Sequence, residues 1–213
     1  MRIECMTVGM LQEQTYFVID ETTKQTFIID PGADAEKLIH KIDGEGLKVE
    51  KILLTHGHFD HIGAVQAIRE HTQCEVVIHE EGKLYLEDAR YNLSIAFGEQ
   101  ALTFQADQYV KAGDVVQVEG TELCFKVIHA PGHTKDGVAY YNEAHQVAFV
   151  GDIIFRGSIG RTDFIGGDMA TLINSIRTQL FTLEKEVTLY PGHGEPTTVG
   201  FEKLHNPYFN MFE

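Results

Sequence analysis

The sequence predicts an α/β protein in which two β-sheets lie face to face with helices on the outside. Three observations predict it. Apolar, β-branched runs are followed by runs with helical spacing in the first half, and the second half repeats that order. No linker, low-complexity tract or short repeat separates the halves. The chain has 213 residues, 43% of them hydrophobic and 23% charged, which is enough to bury one sizeable core. One domain over 1–213 is therefore expected. With 20 Gly and 5 Pro, the composition excludes disorder, collagen and coiled coil.

The first strands are predicted over Arg2 to Val8, Thr15 to Asp20 and Thr26 to Asp30, where β-branched and aromatic residues dominate. Asp20-Glu21-Thr22-Thr23-Lys24 makes a polar hairpin loop, and Pro31-Gly32 ends the third strand. Asp34 reads as the N-cap of a helix with Ala35, Leu38, Ile39 and Ile42 on one face, stopped by Gly44 and Gly46. A buried strand over Val49 to Thr55 leads into a histidine-rich loop. A helix from His61 to Glu70 and a strand from Glu75 to His79 come next. Glu80 to Ala89 is predicted helical, and Tyr91 to Ala106 a long covering loop. Strands follow at Val115 to Val118, Glu122 to His129, Gly137 to Tyr141 and Gln146 to Val150. Asp168 is placed to cap a helix whose apolar positions are Met169, Leu172, Ile173, Ile176 and Leu180. A strand at Val187 to Tyr190 and a short helix from Val199 to His205 complete the pattern.

Charge narrows the partners. Lys and Arg number 17 against 32 Asp and Glu, a net charge of −15. Such a surface repels phosphate backbones, so nucleic acid is excluded as a partner class. No unbroken apolar run is long enough to span a bilayer. The N-terminus lacks the apolar stretch of a signal peptide, and a cytoplasmic location is expected. Cys5, Cys74 and Cys124 form no CxxC pair and read as core thiols in a reducing compartment.

The chemistry concentrates in Thr55-His56-Gly57-His58-Phe59-Asp60-His61, directly after the apolar strand Lys51-Ile52-Leu53-Leu54. His56, His58 and Asp60 are spaced at two residues, which aims side chains to one side of an extended segment. A helical HExxH pair needs a different spacing. Gly57 lets the backbone bend, and Asp60 and His61 open the next helix. Three more candidates share a setting: His133 in Pro131-Gly132-His133, Asp152 after Val150-Gly151, and His193 in Pro191-Gly192-His193-Gly194. Each stands in a glycine-containing turn at the end of a strand, where a sheet can aim several loops at one point.

Taken singly, each histidine is an ordinary turn residue. Together, five imidazoles and two carboxylates in one cleft would perturb each other's ionisation heavily, and a bound dication relieves that conflict. The donor set suits borderline divalent ions such as zinc. His40, His71, His79, His129, His145 and His205 lack this setting and read as surface or core residues.

The motif Thr55-His56-Gly57-His58-Phe59-Asp60-His61, with His133, Asp152 and His193, resembles the metallo-β-lactamase superfamily over essentially the whole chain. The resemblance implies a four-layer αββα sandwich with metals at one edge of the two sheets. The stretches Gly151-Asp152 through Asp163 and Tyr190 through Gly194 are similar to the glyoxalase II-like hydrolases. Asp152, where the main zinc β-lactamases carry cysteine, points away from those enzymes, and His58, retained rather than replaced by Glu, points away from the flavodiiron branch. On the family pattern His56, His58 and His133 hold a first metal, Asp60, His61 and His193 a second, and Asp152 bridges them. The cofactor implied is two divalent ions, zinc first, with iron or manganese also fitting. The function implied is hydrolysis of S-(2-hydroxyacyl) thioesters by a metal-bridging hydroxide, since metal binding lowers the pKa of water from about 15.7 toward about 7. Asp60 both ligates and orients that nucleophile. The partner is then a small-molecule thioester; the oligomeric state is left open.

Two departures open alternatives. Longer glyoxalase II enzymes add a C-terminal helical region that contacts glutathione, for which this chain, ending at Glu213, has no room. Weak anchoring of the carrier follows. Gly160-Arg161-Thr162-Asp163-Phe164 also resembles the persulfide dioxygenases of the same superfamily, which use a single iron. A non-catalytic metal-binding module is a further alternative, disfavoured because open, turn-rich ligand loops suit catalysis better than a closed structural site. For substrate anchoring, Lys135 and Arg161 are the candidates, being cations close in sequence to His133 and Asp152, as Arg156 also is. Arg161, flanked by Asp163 and Asp168, either anchors substrate or pairs within its own loop.

Overall fold

Strand alternation builds the layers. The computed structural model describes residues 1–98 and 100–210, so the expected extent of 1–213 reaches outside the described residues at Glu99 and 211–213. In the first sheet, β1 (Arg2–Val8), β2 (Glu13–Ile19) and β3 (Gln25–Ile29) pair antiparallel. β4 (Lys48–Leu53), β5 (Glu75–His79) and β6 (Gln108–Val110) then extend the sheet in parallel. The order is β1-β2-β3-β4-β5-β6. The second sheet contains β7 (Val115–Gln117), β8 (Cys124–His129), β9 (Val138–Asn142) and β10 (Val147–Gly151). After a small hairpin of β11 (Ile154–Phe155) and β12 (Ser158–Ile159), it is completed by β13 (Thr188–Pro191) and β14 (Thr197–Thr198). Its order is β14-β13-β10-β9-β8-β7, with only β10 and β13 parallel.

Because successive side chains alternate, each central strand serves two cores. Tyr16, Phe27 and Leu53 meet Phe125, Tyr140 and Phe149 between the sheets, with Phe27 and Phe125 rings 6.2 Å apart and Phe125 and Phe149 5.8 Å apart. The alternate residues Phe17, Ile28 and Ile52 turn outward under α1 (Ala35–Glu45) and, after α2 (Phe59–Ile62), under α3 (Val65–Thr72). Leu38, Ile42, Val65 and Ile68 supply the covering stripe. On the far side, Ala139, Ala148 and Val150 lie beneath Leu172 and Ile176 of α6 (Met169–Thr178) and Val199 of α7 (Val199–His205). α4 (Gly82–Glu87), α5 (Ser94–Phe97) and α8 (Pro207–Asn210) are short. Helix, sheet, sheet and helix make the αββα sandwich that the resemblance implied. No helix among the described residues is long and apolar enough to cross a membrane.

Several local expectations change. Asp34 stands at the start of α1 but in the left-handed region, φ 53°, and makes no cap bond; its carboxylate instead accepts from the Gly9 N–H and pairs with Lys37. α1 runs through Gly44, and Gly46 alone ends it. The helix expected over His61 to Glu70 is two, α2 and α3. The Ala64 N–H donates to the Pro31 carbonyl at 2.9 Å, pinning the break against the turn after β3. The covering loop contains α5. Asp168 does cap α6, accepting from the Thr171 N–H at 2.7 Å. Cys74 is buried, but Cys5 and Cys124 are exposed: Cys124 stands on the solvent side of its strand's alternation, and Cys5 on β1, the edge strand of its sheet.

Candidate metal centre

β4 and β8, β10 and β13 deliver their C-terminal turns to one edge of the sandwich, where the seven expected side chains meet. Donor atoms of His56, His58 and His133 lie within 4.8 Å of one another, as do those of Asp60, His61 and His193. In the first group His58 Nδ1 is 3.1 Å from His56 Nε2 and 3.0 Å from His133 Nε2. In the second, Asp60 Oδ2 is 3.3 Å from His193 Nε2. Asp152 stands between them: Oδ2 is 3.6 Å from His133 Nε2 and 3.7 Å from His193 Nε2, while Oδ1 is 3.4 Å from His61 Nε2. Gly57 serves chiefly by its size, since a Cβ there would come within 2.5 Å of Tyr85 Cβ.

In four of the five histidines the nitrogen that faces away from the centre has a partner; the exception is His58, whose outward Nε2 is buried without one. His61 Nδ1 donates to Asp30 Oδ2 at 3.0 Å, His133 Nδ1 to the Arg161 carbonyl at 2.7 Å and His193 Nδ1 to the Leu11 carbonyl at 3.1 Å. His56 Nδ1 lies 3.2 Å from Thr55 Oγ1. These contacts orient His56, His61, His133 and His193 with Nε2 turned inward, while His58 presents Nδ1, an arrangement suited to metal-ligating histidines. His61 Nε2 and Asp152 Oδ1 are buried and lack any hydrogen-bond partner. Buried polar atoms left in that state need a partner of another kind, and the donor set of imidazole nitrogens and carboxylate oxygens fits a divalent metal ion.

Sequence reasoning missed Asp30. It is buried, in the left-handed region at φ 48°, and accepts from the Thr55 N–H at 2.7 Å, from the Thr55 hydroxyl and from His61. Its signal was present: Asp30-Pro31-Gly32 is a strand-end turn like those of the other loops. Glu13, buried beside the cleft with its carboxyl held well above the ordinary range by burial, carried no such signal. Asp30→Asn should remove the acceptor that sets the His61 tautomer. Metal affinity of the second group should fall about 10- to 100-fold, measured by competition with a chelator, while the three-histidine group changes little.

The two groups differ in charge. Burial, then the neighbouring imidazoles, holds His56 well below its ordinary value. Burial and His133 push His58 down to about 3, and burial lowers His133 as well. For His61 burial works the other way from the result: Asp152, Asp60 and Asp30 outweigh it and hold the imidazole well above its ordinary value. His193 is raised too, since Asp60 and Asp152 outweigh its burial. In the metal-free protein His61 and His193 are thus biased toward the protonated form and the three-histidine group toward the neutral one. Lowering pH favours the protonated ligands and so weakens loading of the second group first. Calorimetric titrations in buffers of different ionisation enthalpy should show proton release with the second equivalent of metal and little with the first.

A cleft of ≈ 1170 Å³ opens onto the centre, with His58, Asp60, His133, Asp152 and His193 in its lining. Arg161 also lines it, with its guanidinium paired to both Asp163 oxygens at 2.7 Å. Lys135 is not among the described lining residues. Its carbonyl and amide bind His129 and the Tyr85 hydroxyl, and its stem lies beside Gly166.

Comparison with known proteins agrees with this fold. Residues 8–193 match the metallo-beta-lactamase superfamily. The chain is 37% identical over 212 residues to a Haemophilus influenzae protein named hydroxyacylglutathione hydrolase GloC, covering 99% of each. Among solved structures, that of the BLEG-1 B3 metallo-beta-lactamase aligns with a TM-score of 0.92 and 37% identity, covering 98% of this chain and all of that one. TTHA1623 in a di-iron-bound form aligns with a TM-score of 0.84 and 37% identity, covering 96% of this chain and 99% of that one.

Proposed function

The chain belongs to the metallo-β-lactamase superfamily, and within it we propose a two-metal hydrolase of S-(2-hydroxyacyl) thioesters. That it is a metallo-hydrolase rests on its relatives; the thioester reading adds the resemblance to glyoxalase II-like enzymes and the name of the Haemophilus relative. The observation that carries the dinuclear reading is the Asp152 carboxylate, set within 3.4–3.7 Å of ligand nitrogens from both groups. His56, His58 and His133 would hold one ion, Asp60, His61 and His193 the other, with Asp152 shared. Zinc is the ion proposed, on the imidazole and carboxylate donor set; the di-iron form of a neighbour makes iron the competing choice.

Two divalent ions bound there would supply a water ionised near neutral pH and polarise the substrate carbonyl. The protein's own groups do the rest. Asp60, at the cleft wall with Oδ2 3.3 Å from His193 Nε2, accepts from the attacking water and aims its lone pair at the thioester carbon. The carbon–oxygen bond forms, the carbon–sulfur bond breaks, and the products are a 2-hydroxy acid and a thiol. No protein nucleophile is needed, and no cysteine lines the cleft among the described residues.

The second reading, a persulfide dioxygenase, is favoured by the stretch Gly160 to Phe164. One pair of assays decides. Metal-loaded protein given S-lactoylglutathione should release free thiol, and given a glutathione persulfide should consume no oxygen. Oxygen uptake without thiol release would reverse the two readings.

A further inference from the structure

The chemistry of the cleft walls bears on which thiol the substrate carries. Asp34, Asp60 and Asp152 face the cleft, in a protein of net charge −15. Among the described lining residues there is no lysine, and the one arginine, Arg161, is held by a bidentate pair with Asp163 and lies 3.9 Å over the Phe164 ring. A bidentate partner and a stacked ring together occupy the guanidinium's fork and one of its faces. With Asp60 and Asp152 engaged by the ions, an incoming carboxylate would meet Glu13, an Asp34 already paired with Lys37, and no unpaired lysine or arginine among the described lining residues.

The apolar groups form a path instead. Phe164 stands 6.0 Å from the His58 ring, and Phe97 stands 5.8 Å beyond Phe164. On the other flank Phe155 lies 6.2 Å from His193. The tip of the β1–β2 hairpin adds Met10 and Leu11, 91% and 54% exposed, and the Leu11 carbonyl is tied to His193. Phe97 is itself 61% exposed. Large apolar side chains gathered in solvent around one cleft mark a ligand surface.

We propose that the thiol carrier recognised by this chain is uncharged and apolar beyond its sulfur, seated along Phe164 and Phe97 under the Met10–Leu11 tip, and not an anionic peptide. The inference rests on the thioesterase reading above, and names its substrate class. Burial of a phenyl-sized group against such a wall is worth about tenfold or more in affinity.

The test uses metal-loaded protein and two esters of the same lactoyl group, one on glutathione and one on 3-phenylpropanethiol. The phenylpropyl ester should show a kcat/KM at least about tenfold higher, through a lower KM, and Phe97→Ala should narrow that ratio severalfold. A glutathione ester turned over as well or better would overturn the inference and leave the thioesterase reading standing. If neither ester released thiol, the thioesterase reading would fail. Calorimetric affinities of the two uncleaved esters would then still rank the carriers: tighter binding of the phenylpropyl ester supports the apolar seat, and equal or weaker binding overturns it.

Discussion

Asp152→Ala should cost the centre both of its ions and nearly all of its activity. The Asp152 carboxylate is ionised in spite of its burial, because His61, His133 and His193 outweigh that cost. It also lies within 3.4–3.7 Å of donor nitrogens from both groups. Its removal takes a shared ligand from each ion at once, whereas His193→Ala takes one from the second group alone. Metal analysis should therefore find both ions depleted in the Asp152 variant, but chiefly the second in the His193 variant. Several kcal/mol of charge stabilisation depend on the ions, so kcat/KM should fall on the order of a thousandfold or more. An Asp152 variant that keeps one ion at full occupancy would show that the carboxylate serves one group only.

Gly192→Ala should be severely damaging although the residue ligates nothing. A Cβ there would lie 2.4 Å from Asp152 Oδ1 and 2.5 Å from His61 Cε1. The backbone has no room to retreat, since the Gly192 N–H donates to the Gly151 carbonyl at 2.9 Å and its carbonyl accepts from the Gln14 N–H at 2.8 Å. The added methyl must displace the bridge or the second-group histidine. A misplacement of about 1 Å at reacting groups costs about a hundredfold in rate, and the crowding about 1–3 kcal/mol in stability. Thiol-release kinetics and chemical denaturation read the two effects separately. A variant with wild-type metal content and rate would show that the turn has slack that the packing does not reveal.

The ligand loops were legible because each follows a strongly apolar strand and contains its own glycine, so sequence position fixed spatial position. His56 through His61 are near neighbours in the chain, and His133, Asp152 and His193 each end a strand that the pattern marked. What stayed hidden acts across the chain or in pieces too short to show a period. Asp30 reaches His61 across 31 residues, and nothing in its own neighbourhood names that partner. β6, β11, β12 and β14 have two or three residues each, below the length at which alternation is visible. Lys135 shows the converse: two residues from His133 in sequence, its side chain runs past Gly166 and outside the described cleft lining. Cys124 stands in an apolar run that suggests the core, but alternation turns Phe125 inward and Cys124 out.

The central claim is that two ions share Asp152 and that hydrolysis needs both. Metal-free protein titrated with zinc, with bound metal and thiol release from S-lactoylglutathione followed together, tests it most directly. Binding should saturate at two ions per chain, and hydrolysis should rise with the second equivalent rather than the first. Saturation at one ion, or full hydrolysis after the first equivalent, would contradict it.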